Sequence, residues 1–212
     1  MARREQTSDS RAGGTAPRVA GLLLAAGGGR RLGGRPKALL PYGGKPLVEH
    51  AARALREGGC GPVHVVLGAA RDEVRERAEL AGCLLIDNPD WAEGMGTSLR
   101  AGLERVGADP DGASAVLVCL VDQPGIGAAA VARVRRAYRS PDTLAAASYG
   151  GRRGHPVLFG ARHWAAVARS AYGDVGARAY LREREGRIAL VECGDVADPA
   201  DIDTPEDLGR LG

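Results

Sequence analysis

The chain has 212 residues, enough for one α/β domain with a sizeable core and short for two. Its formal net charge is only +3 and its arginines are dispersed, which argues against a nucleic-acid-binding protein. No apolar run reaches the length of a membrane span, so we expect no membrane association. Residues 1–17 are rich in Ser, Gly, Thr and Arg and predict a disordered tail, followed by a single domain over residues 18–212.

The cysteines and the first residues of the chain indicate its compartment. The four cysteines are far apart and form no CxxC pair, which indicates reduced thiols rather than disulfides or metal ligands: Cys60, Cys83, Cys119 and Cys193. Residues 1–18 lack the apolar middle of a signal peptide. Both features predict a cytoplasmic protein.

The first predicted strand runs directly into a glycine-rich loop. The apolar residues 19–26 predict a buried parallel strand, and Gly27, Gly28 and Gly29 follow it. Glycine backbone adopts positive φ and lets several amide N–H groups converge on an anion. Cationic side chains come next, at Arg30, Arg31, Arg35 and Lys37. The loop therefore predicts a polyphosphate site, with an ordinary strand-to-helix turn as the alternative.

Two common phosphate-binding loops do not fit this stretch. A dinucleotide fingerprint requires a third glycine where the chain has Leu32, and an acidic residue after the second strand, where Gly68 and Ala69 stand. A Walker loop requires Ser or Thr after Gly-Lys, but Lys45 is followed by Pro46. The loop therefore belongs to another class.

Strands and helices alternate along the rest of the chain. After a turn at 41–46, the pattern predicts helices at 46–57, 71–80, about 97–106, 126–138 and from 204, and strands at 63–67, 84–86, 115–121 and 143–149. This alternation predicts one α/β domain with a mostly parallel sheet and helices on both faces. Ligands of such sheets bind at the carboxyl ends of the strands.

The segment after the third strand, NPDWAEGMGTSL at 88–99, falls at the same edge as the glycine loop. Gly94 and Gly96 allow the backbone to approach a ligand, and Thr97 or Ser98 could cap the following helix while offering hydroxyl and N–H groups to a base or phosphate. The segment predicts either a nucleotide contact or only a helix start at which Trp91 packs on the sheet.

An aspartate ends the most apolar predicted strand. Asp122 follows the strand at 115–121, where a carboxylate is costly unless a cation or several donors meet it. Mg²⁺ on a triphosphate would supply that cation, because it takes one or two carboxylates together with phosphate oxygens. The alternative is that Asp122 caps the following helix.

Further polar residues come late in the chain. His155 stands in a Gly- and Pro-rich stretch that we interpret as a loop, and Asp174 precedes a predicted helix that it could equally cap. Asp201 and Asp203 alternate in an extended segment and can face one ion. The chain shows no Ser/His/Asp or Cys/His arrangement, so the attacking group must come from a second substrate.

Several motifs together resemble one family. LAAGGGRRLGGRPK is similar to the LAAG-x-x-x-R-M/L-G-x-x-K signature of MobA-like nucleotidyltransferases, with one extra residue near Gly34. The segments NPDWAEGMGTSL, LVCLVDQP, RGHPVLF, GDVGAR and DIDTPED resemble elements of the molybdenum cofactor cytidylyltransferases in the same order. The likeness extends from about residue 19 to 211.

The resemblance implies a three-layer, Rossmann-like nucleotidyltransferase fold and assigns roles to residues. It implies catalytic roles for Arg31, Lys37 and Asp122, metal ligation by Asp122 and Asp203 with Asp201 the weaker candidate, and an acceptor-side position for His155 and Asp174. The implied nucleotide-binding residues are Leu24, Ala25, Ala26, Gly27, Gly28, Gly29, Arg30, Arg31, Lys37, Gly94, Thr97 and Ser98.

The implied reaction is Mg²⁺-dependent transfer of CMP from CTP to the terminal phosphate of molybdopterin, with release of pyrophosphate. A molybdoenzyme of the xanthine dehydrogenase type is the implied partner. Alternatives are guanylyl transfer, another acceptor such as 2-phospholactate or methylerythritol phosphate, a glycosyltransferase using Asp201-Ile202-Asp203 as its DxD, and a non-enzymatic cofactor-handling module.

Overall fold

The computed structural model describes residues 17–109 and 112–211, so the expected tail lies almost wholly outside the described residues. The nine strands of the described chain are β1 Val19–Ala25, β2 Pro41–Tyr42, β3 Lys45–Pro46, β4 Val63–Leu67, β5 Cys83–Asp87, β6 Ala115–Leu120, β7 Leu144–Tyr149, β8 Arg152–Gly160 and β9 Ala189–Glu192. Its α-helices are α1 Leu47–Glu57, α2 Arg71–Arg77, α3 Met95–Gly107, α4 Ala128–Arg135, α5 Trp164–Ser170 and α6 Arg178–Glu183.

Seven strands form one sheet in the order β5-β4-β1-β6-β8-β7-β9. β1 pairs in parallel with both β4 and β6, and only β8 runs against its neighbours. All residues of β1 and β4 are buried, because both faces of these strands are covered. The predicted mostly parallel α/β sheet is confirmed.

Helices cover both faces of the sheet, which gives three layers. On one face α1 and α4 bury Leu47, Leu55 and Val131 against the sheet. On the other face α3 and α5 bury Leu103 and Val167. Each helix does so because its apolar residues recur at helical spacing along one side.

The main correction concerns the stretch around His155, which is a strand rather than a loop. Gly150 and Gly151 adopt φ of 59° and 79°, which closes a tight hairpin between β7 and β8. The β7–β8 register shifts between Ala146 and Ser148, which pair with Val157 and Arg153, so Pro156 lies in the irregular stretch of β8 between them, where a residue without an N–H can be accommodated. Sequence reasoning missed the strand because Gly and Pro interrupt its apolar pattern.

Other predicted boundaries also shift. The turn at 41–46 is a small hairpin of β2 and β3, and α2 and α4 are shorter than predicted. Leu80 lies beyond α2 and is buried in the core rather than continuing the helix. The last segment, Pro205–Leu211, is a 3-10 helix, and the Asp207 carboxylate accepts hydrogen bonds from the backbone N–H groups of Asp203 and Thr204.

All four cysteines are free thiols, as predicted. Burial raises the pKa of the Cys60 thiol to about 12. Within the described ranges, no helix combines the length and apolarity needed to cross a bilayer.

Candidate active site

The conformation of the glycine loop depends on one of its residues, Gly29. Gly29 adopts φ of 62°, and a Cβ there would lie 1.8 Å from the carbonyl oxygen of Arg35. Its own carbonyl accepts from the N–H groups of Leu32 and Gly34 at 2.8 and 3.1 Å. Buried Leu32 anchors the loop in the core. Only glycine satisfies both the left-handed backbone and the close approach, so this position fixes the shape of the loop.

The residue inserted near Gly34 lies in an open turn. Gly33 and Gly34 have φ of 69° and 79°, and a Cβ at either would meet no atom within 4 Å. The extra length therefore projects into solvent. It leaves Lys37, the first residue of a 3-10 helix that ends at Leu39, facing the sheet edge.

Lys37 joins the two aspartates that the sequence singled out. Its Nζ donates to Oδ2 of Asp122 at 2.7 Å and also to Oδ1 of Asp203. Arg31 adds a longer contact, 3.7 Å from Nη1 to Oδ2 of Asp203. Asp122 follows β6, whereas Asp203 arrives on the last extended segment, which is held there because the Ile202 N–H donates to the carbonyl of Asp122 at 2.8 Å. Asp122 is thus engaged with a cation, and α4 begins only at Ala128, so Asp122 does not cap it.

The charges at this cluster compensate one another. Burial alone would lower the pKa of Lys37, but the charges of Asp122 and Asp203 and the hydrogen bonds to them outweigh it, so the pKa is raised. The pKa of Asp201 is also raised, but here burial and the neighbouring charge of Asp122 disfavour the charged form of the side chain. Lys37 therefore remains an ammonium ion at neutral pH.

The donor set fits a hard divalent cation. Asp122 and Asp203 both touch one ammonium group, so both carboxylates can reach one cation at that place. Among residues 17–109 and 112–211, no group of three or more His, Cys, Asp or Glu side chains forms a complete metal cage. Phosphate oxygens and water would have to supply the remaining ligands, as is usual for Mg²⁺ at nucleotides.

The segment before α3 is built around buried Asn88. Its Nδ2 lies 2.9 Å from both Thr97 Oγ1 and Ser98 Oγ. Thr97 Oγ1 also lies within hydrogen-bonding distance of the carbonyls of Asp90 and Gly94. Neither hydroxyl caps the helix, because α3 already begins at Met95. The expectation of a cap was wrong, since the buried amide competes for both hydroxyls.

Trp91 and Gly94 pack this segment onto its neighbours. A Cβ at Gly28 would lie 2.9 Å from the Trp91 ring, so the indole rests on the glycine loop rather than only on the sheet. Gly94 has φ of 114°, and a Cβ there would lie 2.4 Å from the carbonyl carbon of Gly173. Both glycines allow chain segments from different parts of the sequence to meet at one place.

These elements enclose a cavity of about 720 Å³, which we call the nucleotide cavity. Most of the predicted nucleotide- and metal-binding residues line it: Leu24, Ala26, Gly27, Gly28, Gly29, Arg30, Arg31, Lys37, Gly94, Ser98, Asp122 and Asp203. Ala25 and Thr97 do not, because Ala25 points into the opposite face of the sheet and Thr97 is turned toward Asn88. Arg35 is exposed and also lies outside it.

A second cavity of about 570 Å³ adjoins the first, and we call it the acceptor cavity after the role that we propose for it below. His155 lines it, whereas Asp174, expected on the same side, lines the nucleotide cavity, within a 3-10 turn, and caps no α-helix. Five residues line both cavities, and Arg178 and Asp201 are the charged ones among them, beside Leu24, Met95 and Leu120. Burial and the charges of two neighbouring arginines lower the pKa of His155 to about 4, so its ring is neutral at pH 7.

Sequence reasoning missed part of this second cavity. Its apolar wall includes Val118, Val157 and Phe159 from β6 and β8, and its cationic rim includes Arg152, Arg153 and Arg178. Val157 and Phe159 lie on β8, which was interpreted as a loop. Arg178 belongs to the GDVGAR motif, so position within that motif was an available signal.

Comparisons with known proteins agree with this geometry. Residues 21–188 match the MobA-like NTP transferase domain family. The chain is 43% identical over 202 residues to nicotine blue oxidoreductase of Paenarthrobacter nicotinovorans, covering 92% of this chain and 97% of that protein. It is 32% identical to a molybdenum cofactor guanylyltransferase of Rhodobacter capsulatus, with coverage of 91% and 94%.

A solved structure shares the fold along nearly the whole chain. Rv0371c of Mycobacterium tuberculosis H37Rv superposes with a TM-score of 0.79 at 30% identity, covering 93% of this chain and 98% of that one. A second structure of that protein is a complex with manganese, with a TM-score of 0.75, 28% identity and coverage of 92% and 97%. The chain therefore belongs to the MobA-like NTP transferase family and is a nucleotidyltransferase.

Proposed function

We propose that this enzyme transfers a nucleotidyl group, CMP from CTP, to the terminal phosphate of a phosphorylated pterin of the molybdopterin type, with Mg²⁺ as the cofactor. The observation that carries the proposal is that Lys37 contacts both Asp122 and Asp203 beside the glycine loop. It combines cationic groups for a triphosphate with two carboxylates for its metal, and the described residues that line the cavity include no Cys or His that could act as a nucleophile or its base.

The chain's own residues bind and neutralise the triphosphate. Gly27, Gly28 and Gly29 line the cavity, and their backbone N–H groups would bind phosphate oxygens. Lys37 and Arg31 lie on the same cavity and would stabilise the charge that develops on the β,γ-pyrophosphate. Asp122 and Asp203 would hold Mg²⁺, which when bound neutralises charge at the α-phosphate.

The reaction requires no base from the protein. An anionic phosphate oxygen of the acceptor forms a bond to the α-phosphorus, and the bond from that phosphorus to the α,β-bridging oxygen breaks. Pyrophosphate leaves with the electron pair. Since both substrates are charged, catalysis consists of positioning them in line and neutralising their charge. Arg178 lines both cavities, which supports a role for its guanidinium in neutralising the two phosphates.

The acceptor cavity suits a flat, anionic heterocycle. Its apolar wall can pack against a ring system, and its arginines can bind a phosphate. The relative from Rhodobacter capsulatus is named a molybdenum cofactor guanylyltransferase, which supports a pterin acceptor but also keeps GTP as the alternative donor. Cytidylyl transfer is favoured by the DQP, RGHPVLF and GDVGAR motifs, which resemble the cytidylyltransferase branch.

A melting experiment tests the donor. The purified protein is heated with CTP, GTP, ATP or UTP, each with Mg²⁺, with Mn²⁺ or with EDTA. A nucleotide at about 100 times its Kd stabilises the fold by roughly 2.7 kcal/mol, which is visible as a shifted Tm. The largest metal-dependent shift should come with CTP. A larger shift with GTP would refute CTP as the donor, and a shift unaffected by EDTA would refute the metal.

A product assay tests the acceptor. With α-³²P-labelled nucleotide, molybdopterin should become labelled and pyrophosphate should be released in equal amount. Parallel reactions with 2-phospholactate and methylerythritol phosphate should yield no labelled product. Labelling of either of these compounds instead of molybdopterin would refute the pterin acceptor.

Reduction of nicotine blue is a second candidate, because the relative from Paenarthrobacter nicotinovorans bears that name at 43% identity. A reduced nicotinamide cofactor would have to supply the hydride, yet the glycine loop lacks the third glycine of a dinucleotide fingerprint. Absorbance at 340 nm of NADH or NADPH with nicotine blue tests it directly. We expect no consumption of either cofactor above the rate without protein.

A further inference from the structure

The acceptor cavity has more positive than negative charge on its walls. Among the described residues that line it, Arg152, Arg153 and Arg178 are cationic and only Asp201 is a carboxylate. None of the three guanidinium groups forms an ion pair or a side-chain hydrogen bond with the part of the chain that the structure describes. Their charge is therefore left for a ligand, and its excess indicates a ligand with more than one negative charge.

His155 adds an imidazole without a partner to the same cavity. The residue is partly exposed, and neither ring nitrogen forms a hydrogen bond within residues 17–109 and 112–211. Neither nitrogen is closed off from solvent, so both remain accessible. The Tyr149 hydroxyl donates to the backbone carbonyl of His155 at 2.7 Å, which holds the strand at that point and leaves the ring unengaged.

The His155 ring lies on the cavity side of β8. Val157 and Phe159, further along this strand, line the same cavity, while Leu158 packs in the core on the opposite face of the sheet. Side chains alternate between the two faces of a strand, so His155 shares the face of Val157 and Phe159. The charge of Arg178, which belongs to α6 and lines this cavity, lowers the pKa of the imidazole, so the ring itself lies near that guanidinium.

The imidazole is neutral in the empty cavity because its surroundings disfavour another positive charge. Burial, together with the charges of Arg178 and Arg153, lowers the pKa of His155 to about 4. Three further ionisable side chains of the described chain line the cavity: Arg152, Tyr149 and Asp201. An opposite charge within about 4–6 Å raises the pKa of a histidine by about 1–3, so the two charges of a dianion can bring that of His155 into the neutral range.

We propose that His155 makes the acceptor cavity selective for a phosphate dianion: when the ligand binds, the imidazole takes up a proton from solvent and donates a hydrogen bond to a phosphate oxygen. A phosphomonoester is a dianion above its second pKa of about 6, whereas a sulfonate carries one charge and attracts the proton less. This inference rests on the proposed function, because it takes the second cavity as the place of the acceptor's terminal phosphate. It adds a protonation to binding that nucleotidyl transfer itself does not require.

Two probes with the same flat ring system test the protonation without any transfer reaction. At pH 7.5, 1-naphthyl phosphate is a dianion and naphthalene-1-sulfonate a monoanion. Calorimetric titrations in buffers of different ionisation enthalpy give the Kd and the number of protons taken up. The wild-type protein should take up about 0.5–1 proton per naphthyl phosphate, and none with the sulfonate.

His155→Gln keeps an N–H donor at this position but cannot be protonated. It should abolish the proton uptake and weaken naphthyl phosphate about tenfold, the effect of losing a charge-assisted hydrogen bond. Its affinity for the sulfonate should change less than about twofold, because the neutral ring and the amide both offer one N–H.

Nitrogen NMR with ¹⁵N-labelled histidine repeats the test on the wild-type protein, so it does not depend on the folding of a variant. Saturating naphthyl phosphate at pH 7.5 should convert one of the four histidine side chains to the imidazolium ion, and the sulfonate should convert none. Four neutral histidines with bound naphthyl phosphate, proton uptake that persists in His155→Gln, or no binding of naphthyl phosphate at millimolar concentration would each overturn the proposal.

The outcome separates this inference from the proposed function. If naphthyl phosphate binds with protonation of His155 while no nucleotidyl transfer to molybdopterin is detected, the proposed function fails and the dianion site stands. If transfer occurs and its KM for molybdopterin is unchanged in His155→Gln, the proposed function stands and the dianion site fails.

Discussion

Lys37→Met should lower turnover strongly while retaining the fold. The substitution removes the ammonium that touches both Asp122 and Asp203 and keeps most of the apolar side chain. It takes a charge-neutralising donor from the phosphates, a loss that in other enzymes lowers kcat by about 10²–10³. We expect the same range here.

The cost in stability follows from how exposed the cluster is. The Lys37 side chain is 14% exposed, Asp122 20% and Asp203 41%. Breaking a fully buried ion pair costs about 3–5 kcal/mol and an exposed pair roughly 0–1, so this half-buried cluster should lose about 1–2 kcal/mol. For a chain of this length that corresponds to a fall in Tm of roughly 3–6 °C.

Pyrophosphate release measures turnover, and the change in Tm that Mn²⁺ causes measures metal binding at Asp122 and Asp203. Without Lys37 the two carboxylates repel each other, so a divalent cation should raise the Tm of the variant more than that of the wild type. Lys45→Met is the matched control, because Lys45 is the only other lysine and its side chain is 62% exposed beside Glu49. It should leave both readouts unchanged.

Two results would contradict this reasoning. Wild-type turnover in purified Lys37→Met would remove Lys37 from the catalytic machinery. An equal Mn²⁺-dependent shift in Lys37→Met and in the wild type would mean that Asp122 and Asp203 do not form the metal site.

The remaining predictions concern packing and pH. Gly94→Ala should lower the free energy of unfolding by about 2–4 kcal/mol and weaken the nucleotide-dependent Tm shift, because the new Cβ would meet the backbone of Gly173. Gly33→Ala is the control: Gly33 also has a positive φ, but a Cβ there meets open space. Urea unfolding should show a loss of only about 1–2 kcal/mol for it. Asn88→Ala leaves two buried hydroxyls without their common donor and should lower stability by about 1–3 kcal/mol in the same assay. The pKa of His155 is about 4 in the folded protein and 6.5 ordinarily, so between these values the unfolded chain binds a proton that the folded one does not, and stability falls as the pH falls. His155→Gln should remove about 1–2 kcal/mol of that fall between pH 6.5 and 4.5, and identical pH profiles for the two proteins would contradict the neutral ring.

The sequence by itself determined the elements whose signal is local. An unbroken apolar run predicts a strand buried on both faces, and β1 and β4 begin where they were expected. Glycines directly after such a strand predict a loop at its carboxyl end, and the strand–helix alternation predicts a three-layer α/β domain. Asp122 stood out for the same reason, since a charge at the end of an apolar strand requires a partner.

Only the tertiary structure decided which residues meet. Lys37 contacts Asp122 and Asp203 from 85 and 166 positions away, and no periodicity encodes such a pairing. The same holds for the antiparallel insertion of β8, which pairs Val157 with Val118 of β6, and for Thr97, whose hydroxyl turns toward buried Asn88. Local patterns fix φ, ψ and amphipathicity, whereas strand order and side-chain partners depend on how the whole chain buries its polar groups. That is why the loop and its aspartates were predicted, and the hydrogen bond between Thr97 and Asn88 was not.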